Sequence, residues 1–122
     1  MEKCILIYDD DIEILTVTKI ILERNKYRVE TRTRCDDIIK EVSTVKPDIV
    51  FVDLWIPRMG GESALKQMKE NEATRHIPVM LFSANDSIEE ICKRSNADGY
   101  LKKPFTINTL IQLVEHNISE KK

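Results

Sequence analysis

No apolar run in this chain approaches the ~18–20 residues that cross a bilayer as a helix. Met1-Glu2-Lys3 leads straight into a strand-like segment, without a secretory leader pattern. There is no basic excess either. Against 19 Lys and Arg stand 21 Asp and Glu, a formal net charge of −2, which argues against a direct nucleic-acid contact. Cys4, Cys35 and Cys92 are odd in number, widely spaced and without a C-x-x-C pair. That is the usage of a reduced, cytoplasmic protein and not of a disulfide scaffold. His76 and His116 are isolated, so no His/Cys set for zinc is present, and no dense acidic loop suggests an EF-hand. Repeats and low-complexity segments are absent. What remains is one globular domain over residues 1–122, with 42% hydrophobic and 33% charged residues.

What is there is an alternation of strands and helices. Cys4-Ile5-Leu6-Ile7-Tyr8, Ile49-Val50-Phe51-Val52 and Ile77-Pro78-Val79-Met80-Leu81-Phe82 are continuous apolar runs, the pattern of strands covered on both faces. Tyr27–Arg32 alternates and carries charge, which suits a sheet edge. Ala97–Leu101 gives a short fifth strand. Between them lie helical patterns. Asp10 as N-cap with Glu13 three residues on opens the first, whose inner face should be Ile14, Val17 and Ile21, flanked by Leu15 and Leu22. Asp36-Asp37 begin a second with Ile38, Ile39 and Val42, and Ala64, Leu65 and Met68 mark a third. Asp86 and Glu89 are placed to cap a fourth. Thr106 caps the last, with Ile107, Leu110, Ile111, Val114 and Ile118 as its stripe, and the tail 119–122 should fray. Strands and helices in strict alternation mean an α/β fold. The expected architecture is a doubly wound, five-stranded parallel sheet in the order 2-1-3-4-5, flavodoxin-like (βα)5.

In such a sheet every strand ends on one rim, and a crevice opens between strands 1 and 3, where the winding reverses. The first strand ends in Asp9-Asp10-Asp11, the third in Asp53, the fourth in Ser83, and the fifth runs into Lys102-Lys103-Pro104. Singly, each is explained as helix-cap or turn chemistry. Jointly they place carboxylates, a lysine and a hydroxyl on one rim. Crowded carboxylates should raise at least one pKa unless a cation sits among them. Oxygen donors of this kind suit Mg²⁺. A carboxylate beside Mg²⁺ and a lysine is a coherent set for phosphoryl transfer.

These residues resemble the receiver domain of two-component response regulators. The resemblance runs from Cys4 to about Ile118. It rests on Ile5-Leu6-Ile7-Tyr8-Asp9-Asp10-Asp11, on Phe51-Val52-Asp53 with Pro57-Arg58-Met59-Gly60-Gly61, on Ser83-Ala84, and on Tyr100-Leu101-Lys102-Lys103-Pro104-Phe105. It implies that Asp53 accepts a phosphoryl group from phosphohistidine and that Asp9, Asp10 and Asp53, with the Trp55 carbonyl, hold Mg²⁺. Lys103 would contact the phosphoryl oxygens, and Ser83 and Tyr100 would be the switch residues. Lys103-Pro104 is a candidate cis bond.

The implied partners are a sensor histidine kinase or a histidine phosphotransfer protein, and an output domain or downstream protein. The implied state is a monomer or a phosphorylation-dependent dimer, and the domain catalyses only its own phosphorylation and dephosphorylation. The face of helix 4, strand 5 and helix 5, with Lys93, Arg94 and Lys102, would carry the output. No second domain is expected after Ile118, so the chain reads either as a stand-alone receiver or as one taken from a longer regulator.

Three positions depart from the common pattern. Gly60 stands where Asp or Asn is usual, which would loosen its loop. Tyr8 replaces an aliphatic residue. Trp55 is bulky, and would either shield the acyl phosphate or pack on the loop. Two rival functions are distinguishable. A haloacid-dehalogenase-type hydrolase shares the fold class but places its nucleophile after strand 1 in an Asp-x-Asp-x-Thr/Val pattern, whereas Asp9-Asp10-Asp11 is followed by Ile12-Glu13. A pseudo-receiver usually lacks an acid or the lysine, and this chain has both.

Overall fold

A computed structural model of the chain describes residues 2–119; the expected fraying at 120–122 lies outside them. The elements are β1 (Cys4–Tyr8), α1 (Ile12–Arg24), β2 (Arg28–Arg32), α2 (Ile38–Val45), β3 (Ile49–Asp53), α3 (Gly61–Glu70), β4 (Val79–Ser83), α4 (Ile88–Ser95), β5 (Gly99–Lys102) and α5 (Ile107–Ser119). All four strand pairings are parallel, and the order is β2-β1-β3-β4-β5, with the charged β2 at an edge as its pattern indicates.

Side chains alternate across a strand, so each central strand feeds two cores. Leu6, Tyr8, Val50, Val52 and Leu81 pack beneath α2, α3 and α4, against Val42, Leu65, Met68 and Ile91. Ile5, Ile7, Phe51 and Phe82 face the other way, against Leu15, Leu22, Leu110 and Val114 of α1 and α5. Phe51 and Phe82 meet edge to face at 6.2 Å between centroids, a geometry worth about 0.5–1.5 kcal/mol beyond burial. Carboxylates far from the rim satisfy strand starts that lack a ladder partner. Asp48 accepts from the Cys4 amide at 2.7 Å, and Asp98 from the Val79 amide at 2.8 Å.

Local details differ from the sequence expectation at three helices. Asp11, not Asp10, caps α1, accepting from the amides of Glu13 (2.9 Å) and Ile14 (3.3 Å). The buried face of α1 is Leu15, Thr18 and Leu22, while Val17 is 52% exposed. Thr18 can be buried because its hydroxyl donates to the Ile14 carbonyl at 2.7 Å. Neither Asp86 nor Glu89 caps α4. Ser87 stands at its N-cap without a side-chain bond, and Asn85 accepts from the Ser87 amide at 2.7 Å. In α5 the stripe narrows to Leu110, Val114 and Ile118, and Ile107 is largely exposed.

Candidate functional site

The rim at the carboxyl ends of the strands is where the sequence placed the chemistry. Asp9 follows β1 and is fully buried; Asp53 ends β3 and is nearly so. Lys103 follows β5, and its amide donates to the Ser83 carbonyl at 2.9 Å, which extends the β4–β5 ladder by one step. From there its ammonium reaches 2.6 Å from Asp9 Oδ2 and 2.6 Å from Asp53 Oδ2. The Lys103 ammonium also lies 4.6 Å from the centroid of the Phe82 ring, within cation–π range. The Lys103–Pro104 bond is cis.

Each carboxylate divides its oxygens in the same way. Asp9 Oδ1 accepts from the Asp11 amide at 2.9 Å, and Asp53 Oδ1 from the Trp55 amide at 2.7 Å. Two carboxylates thus share one cation, so the buried trio carries a formal charge of −1, and the exposed Asp10 adds another negative group at the same strand end. Burial raises Asp9 above the usual carboxylate range, against the lowering effect of Lys103 and the Asp11 amide; the charge of Asp53 is the least of the causes. The pKa rise that the sequence attributed to crowding is therefore mainly desolvation. Burial pulls Lys103 down, but its bonds to Asp53 and Asp9 outweigh that and hold it above its ordinary value. The lysine stays charged.

The loop between β3 and α3 is shaped by two residues with positive φ, Arg58 (+81°) and Gly60 (+79°). With ψ at 150°, Gly60 occupies a region open essentially to glycine alone. Gly60 accepts from the Ala64 amide at 3.1 Å, and the Gly61 amide donates to the Leu54 carbonyl at 2.9 Å. At Gly61 the backbone passes so close to β3 that a Cβ would stand 2.6 Å from the Asp53 carbonyl oxygen.

Asp9, Asp53 and Lys103 are brought together. Ser83 is buried at the same rim, and its hydroxyl oxygen accepts from the Asn85 amide at 3.0 Å. Tyr100 is 36% exposed, and Trp55 is 72% exposed, so most of the indole meets solvent. Lys93, Arg94 and Lys102 are each paired within the chain, with Glu89 (3.8 Å), Glu62 (3.1 Å) and Asp86 (2.8 Å). Among the described residues no group of three or more His, Cys, Asp or Glu side chains is gathered as a ready metal cage. The donors present are nonetheless hard oxygens beside an excess of negative charge, which fits Mg²⁺ with retained waters.

The model of the response regulator receiver domain family matches residues 5–115. This chain belongs to that family. The receiver is 33% identical over 110 residues to the alkaline phosphatase synthesis transcriptional regulatory protein PhoP of Bacillus subtilis, covering 87% of this chain and 44% of PhoP. It is 26% identical over 116 residues to protein PilG of Pseudomonas aeruginosa, covering 93% of this chain and 86% of PilG. Among solved structures, the receiver domain of the sensor histidine kinase PA1611 from Pseudomonas aeruginosa, with a magnesium ion coordinated in its active site cleft, superposes with a TM-score of 0.83. That pair is 26% identical, covering 98% of this chain and 99% of the other. The receiver spans about half the length of PhoP and of the phosphate regulon regulator PhoB. It is a receiver of the two-component type, a class that works with histidine kinases and output domains. No helix among the described residues is long and apolar enough to cross a membrane.

Sequence reasoning missed two structural supports of this site. One is Gly61, signalled only by its place in a Gly-Gly pair. The other is Glu41, which accepts from the Tyr8 hydroxyl at 2.7 Å; its only signal was the unusual Tyr8.

Proposed function

We propose that this receiver is a phosphorylation-controlled switch in which Asp53 takes a phosphoryl group from a phosphohistidine. The observation that carries this reading is Lys103 Nζ, 2.6 Å from both Asp9 and Asp53. An Asp53 oxygen attacks phosphorus, the P–O bond forms as the P–N bond breaks, and the electron pair stays on the leaving imidazole. Lys103 is positioned to pass from Asp53 Oδ2 to a phosphoryl oxygen without leaving the crevice, which neutralises charge where it accumulates. Asp9, Asp10 and Asp53, with the Trp55 carbonyl, would hold Mg²⁺, which supplies further positive charge beside the transferring group.

The phosphoryl donor must approach the rim. An apolar groove of about 350 Å³, lined by Ile14, Val17, Ile21, Pro104, Phe105 and Ile107, opens beside Lys103 and gives the donor protein a surface to seat against. Val17 and Ile107 flank it, both more than half exposed.

Aspartyl phosphate would draw the Ser83 hydroxyl from the Asn85 amide to a phosphoryl oxygen. The loop after β4 also carries Asp86, paired with Lys102 on β5. Movement at Ser83 is thereby read on the α4–β5–α5 face, with Tyr100 turning inward, and this face addresses the output domain or partner. The receiver itself makes no direct nucleic-acid contact on this reading, consistent with a net charge of −2, and it catalyses only its own phosphorylation and dephosphorylation.

The test is incubation with Mg²⁺ and acetyl phosphate, read by intact mass. The parent should gain one phosphoryl group and Asp53→Asn should not. No adduct in the parent, or an equal one in the variant, would sink the assignment.

A further inference from the structure

The loop from Leu54 to Gly60 holds a shape that local preference does not favour. Arg58, a non-glycine residue, sits at φ +81° two positions before Gly60 at φ +79°, and left-handed backbone at a long side chain persists only where its surroundings impose it. The imposing contact comes from the side. The Cys35 amide donates to the Pro57 carbonyl and the Met59 amide to the Cys35 carbonyl, both at 3.2 Å. These bonds form an isolated parallel bridge between Cys35 and Arg58, outside the main sheet. Arg58 Nε adds an ion pair with Asp36 at 3.2 Å, and Cys35 Sγ lies 3.5 Å from Met59 Sδ.

Residues 35–37 are themselves a loop between β2 and α2, so they need an anchor before they can serve as one. That anchor is Glu41. Its Oε2 accepts from the Asp36 amide at 3.1 Å and the Asp37 amide at 3.0 Å, and its Oε1 accepts from the Tyr8 hydroxyl at 2.7 Å. Tyr8 is fully buried and is the last residue of β1, immediately before Asp9. A continuous chain of bonds runs from the end of β1, through α2 and the loop 35–37, to the loop that follows Asp53.

We infer that Tyr8 and Glu41 are positioning residues for the acceptor site. They hold residues 35–37 in place, and these in turn hold the loop 54–60, which starts beside Asp53 and carries Trp55, whose amide donates to Asp53 Oδ1 at 2.7 Å. Neither residue touches a phosphoryl group or a metal. The inference rests on the proposed function for its purpose, since the loop matters because it would carry a ligand of Mg²⁺. The bonding chain itself stands apart from that purpose and is measured separately.

An aliphatic residue at position 8 would fill the same core space but could not bond Glu41. Glu41 would then keep the loop amides through one oxygen while its other oxygen turned to water, and residues 35–37 would lose their tie to the sheet. Tyr8→Phe makes this change with the ring retained. Glu41→Gln is the second variant, keeping one acceptor oxygen and losing the other.

Two readouts decide. In metal-free protein, amide hydrogen exchange should quicken roughly threefold to tenfold at Cys35, Asp36, Asp37 and Met59 in either variant, the range expected for a link in a coupling network. The Val79 amide, held by Asp98 at the other end of the sheet, should not change. In a titration followed by Trp55 fluorescence, half-saturation should move to higher Mg²⁺ by a similar factor with the same end point. Unchanged exchange at these amides in both variants would overturn the inference. So would uniform acceleration across the sheet, because Tyr8 would then be a packing residue only. A parent that binds no phosphoryl group but shows the localised exchange change would refute the proposed function and leave the bonding chain standing.

Discussion

Gly61→Ala sets two physical effects against each other at the acceptor. On helix propensity alone the change should help, since alanine is favoured over glycine by up to ~1 kcal/mol inside a helix. The structure reverses the sign. The new Cβ would stand 2.6 Å from the Asp53 carbonyl oxygen, 2.8 Å from Leu54 Cα and 3.1 Å from the Asp53 carbonyl carbon, against the ~3.5–4.0 Å of relaxed contact between carbons. All three are backbone atoms and cannot rotate aside, so β3 and the first turn of α3 must separate by about 1 Å. That strains the bond from the Gly61 amide to the Leu54 carbonyl, 2.9 Å in the structure. Overpacking of this kind costs about 1–3 kcal/mol, and the weakened bond about 1 kcal/mol. After the propensity gain, a net loss of roughly 1–3 kcal/mol remains. For a domain of this size the melting temperature should fall by roughly 3–12 °C in a thermal scan followed by circular dichroism. The Mg²⁺ response of Trp55 should weaken as well, because the displaced segment begins at Asp53. A variant that melts at or above the parent would show that the close approach is not a constraint.

Three further outcomes follow from the same geometry. Lys103→Met leaves Asp9 and Asp53 buried without their shared cation, and should destabilise by about 3 kcal/mol at neutral pH; the deficit should shrink in acid as the carboxylates protonate, and a deficit that grows as pH falls would contradict the pairing. At alkaline pH, burial keeps Tyr8 and the Cys35 thiol protonated beyond their ordinary values of 10.0 and 9.0, with Cys35 pushed up to about 12. The folded chain then binds more protons than the unfolded one, so stability falls as pH rises, by about 1.4 kcal/mol per pH unit for each such group. Tyr8→Phe should flatten that slope above pH 10, and an unchanged slope in denaturant titrations would count against the buried phenol. Finally, Mg²⁺ should alter the fluorescence of Trp55, the only tryptophan; a flat titration would remove its carbonyl from the proposed metal shell.

Much of the fold is legible in the chain because continuous apolar runs and helical stripes are long-period signals. Val50, Phe51 and Val52 declare a central strand, and strand ends on a parallel sheet share a rim whatever the loops do. Asp9, Asp53 and Lys103 were therefore readable as neighbours. What was not readable is decided by contacts of one or two atoms. Three consecutive acids, Asp9-Asp10-Asp11, stand before α1; the Asp9 side chain is committed to Lys103 and to the Asp11 amide, and it is Asp11 whose oxygen meets the Glu13 and Ile14 amides. The inner face of α1 shifts by one residue because Thr18 satisfies its hydroxyl on its own helix and can be buried, a substitution that apolar periodicity does not register. Tyr8 and Glu41 lie 33 positions apart and obey no sequence period. Gly60 is explained by its backbone angles, which become known only with the structure.

The central claim is that Asp53 carries the phosphoryl group, and chemical trapping tests it at the residue itself. After phosphorylation with acetyl phosphate and Mg²⁺, borohydride reduces an aspartyl phosphate to homoserine, which peptide mass mapping locates. Homoserine at position 53, absent without the phosphoryl donor, is the predicted result. Homoserine at Asp9 or Asp10, or none in a preparation that has gained a phosphoryl group, would contradict the account.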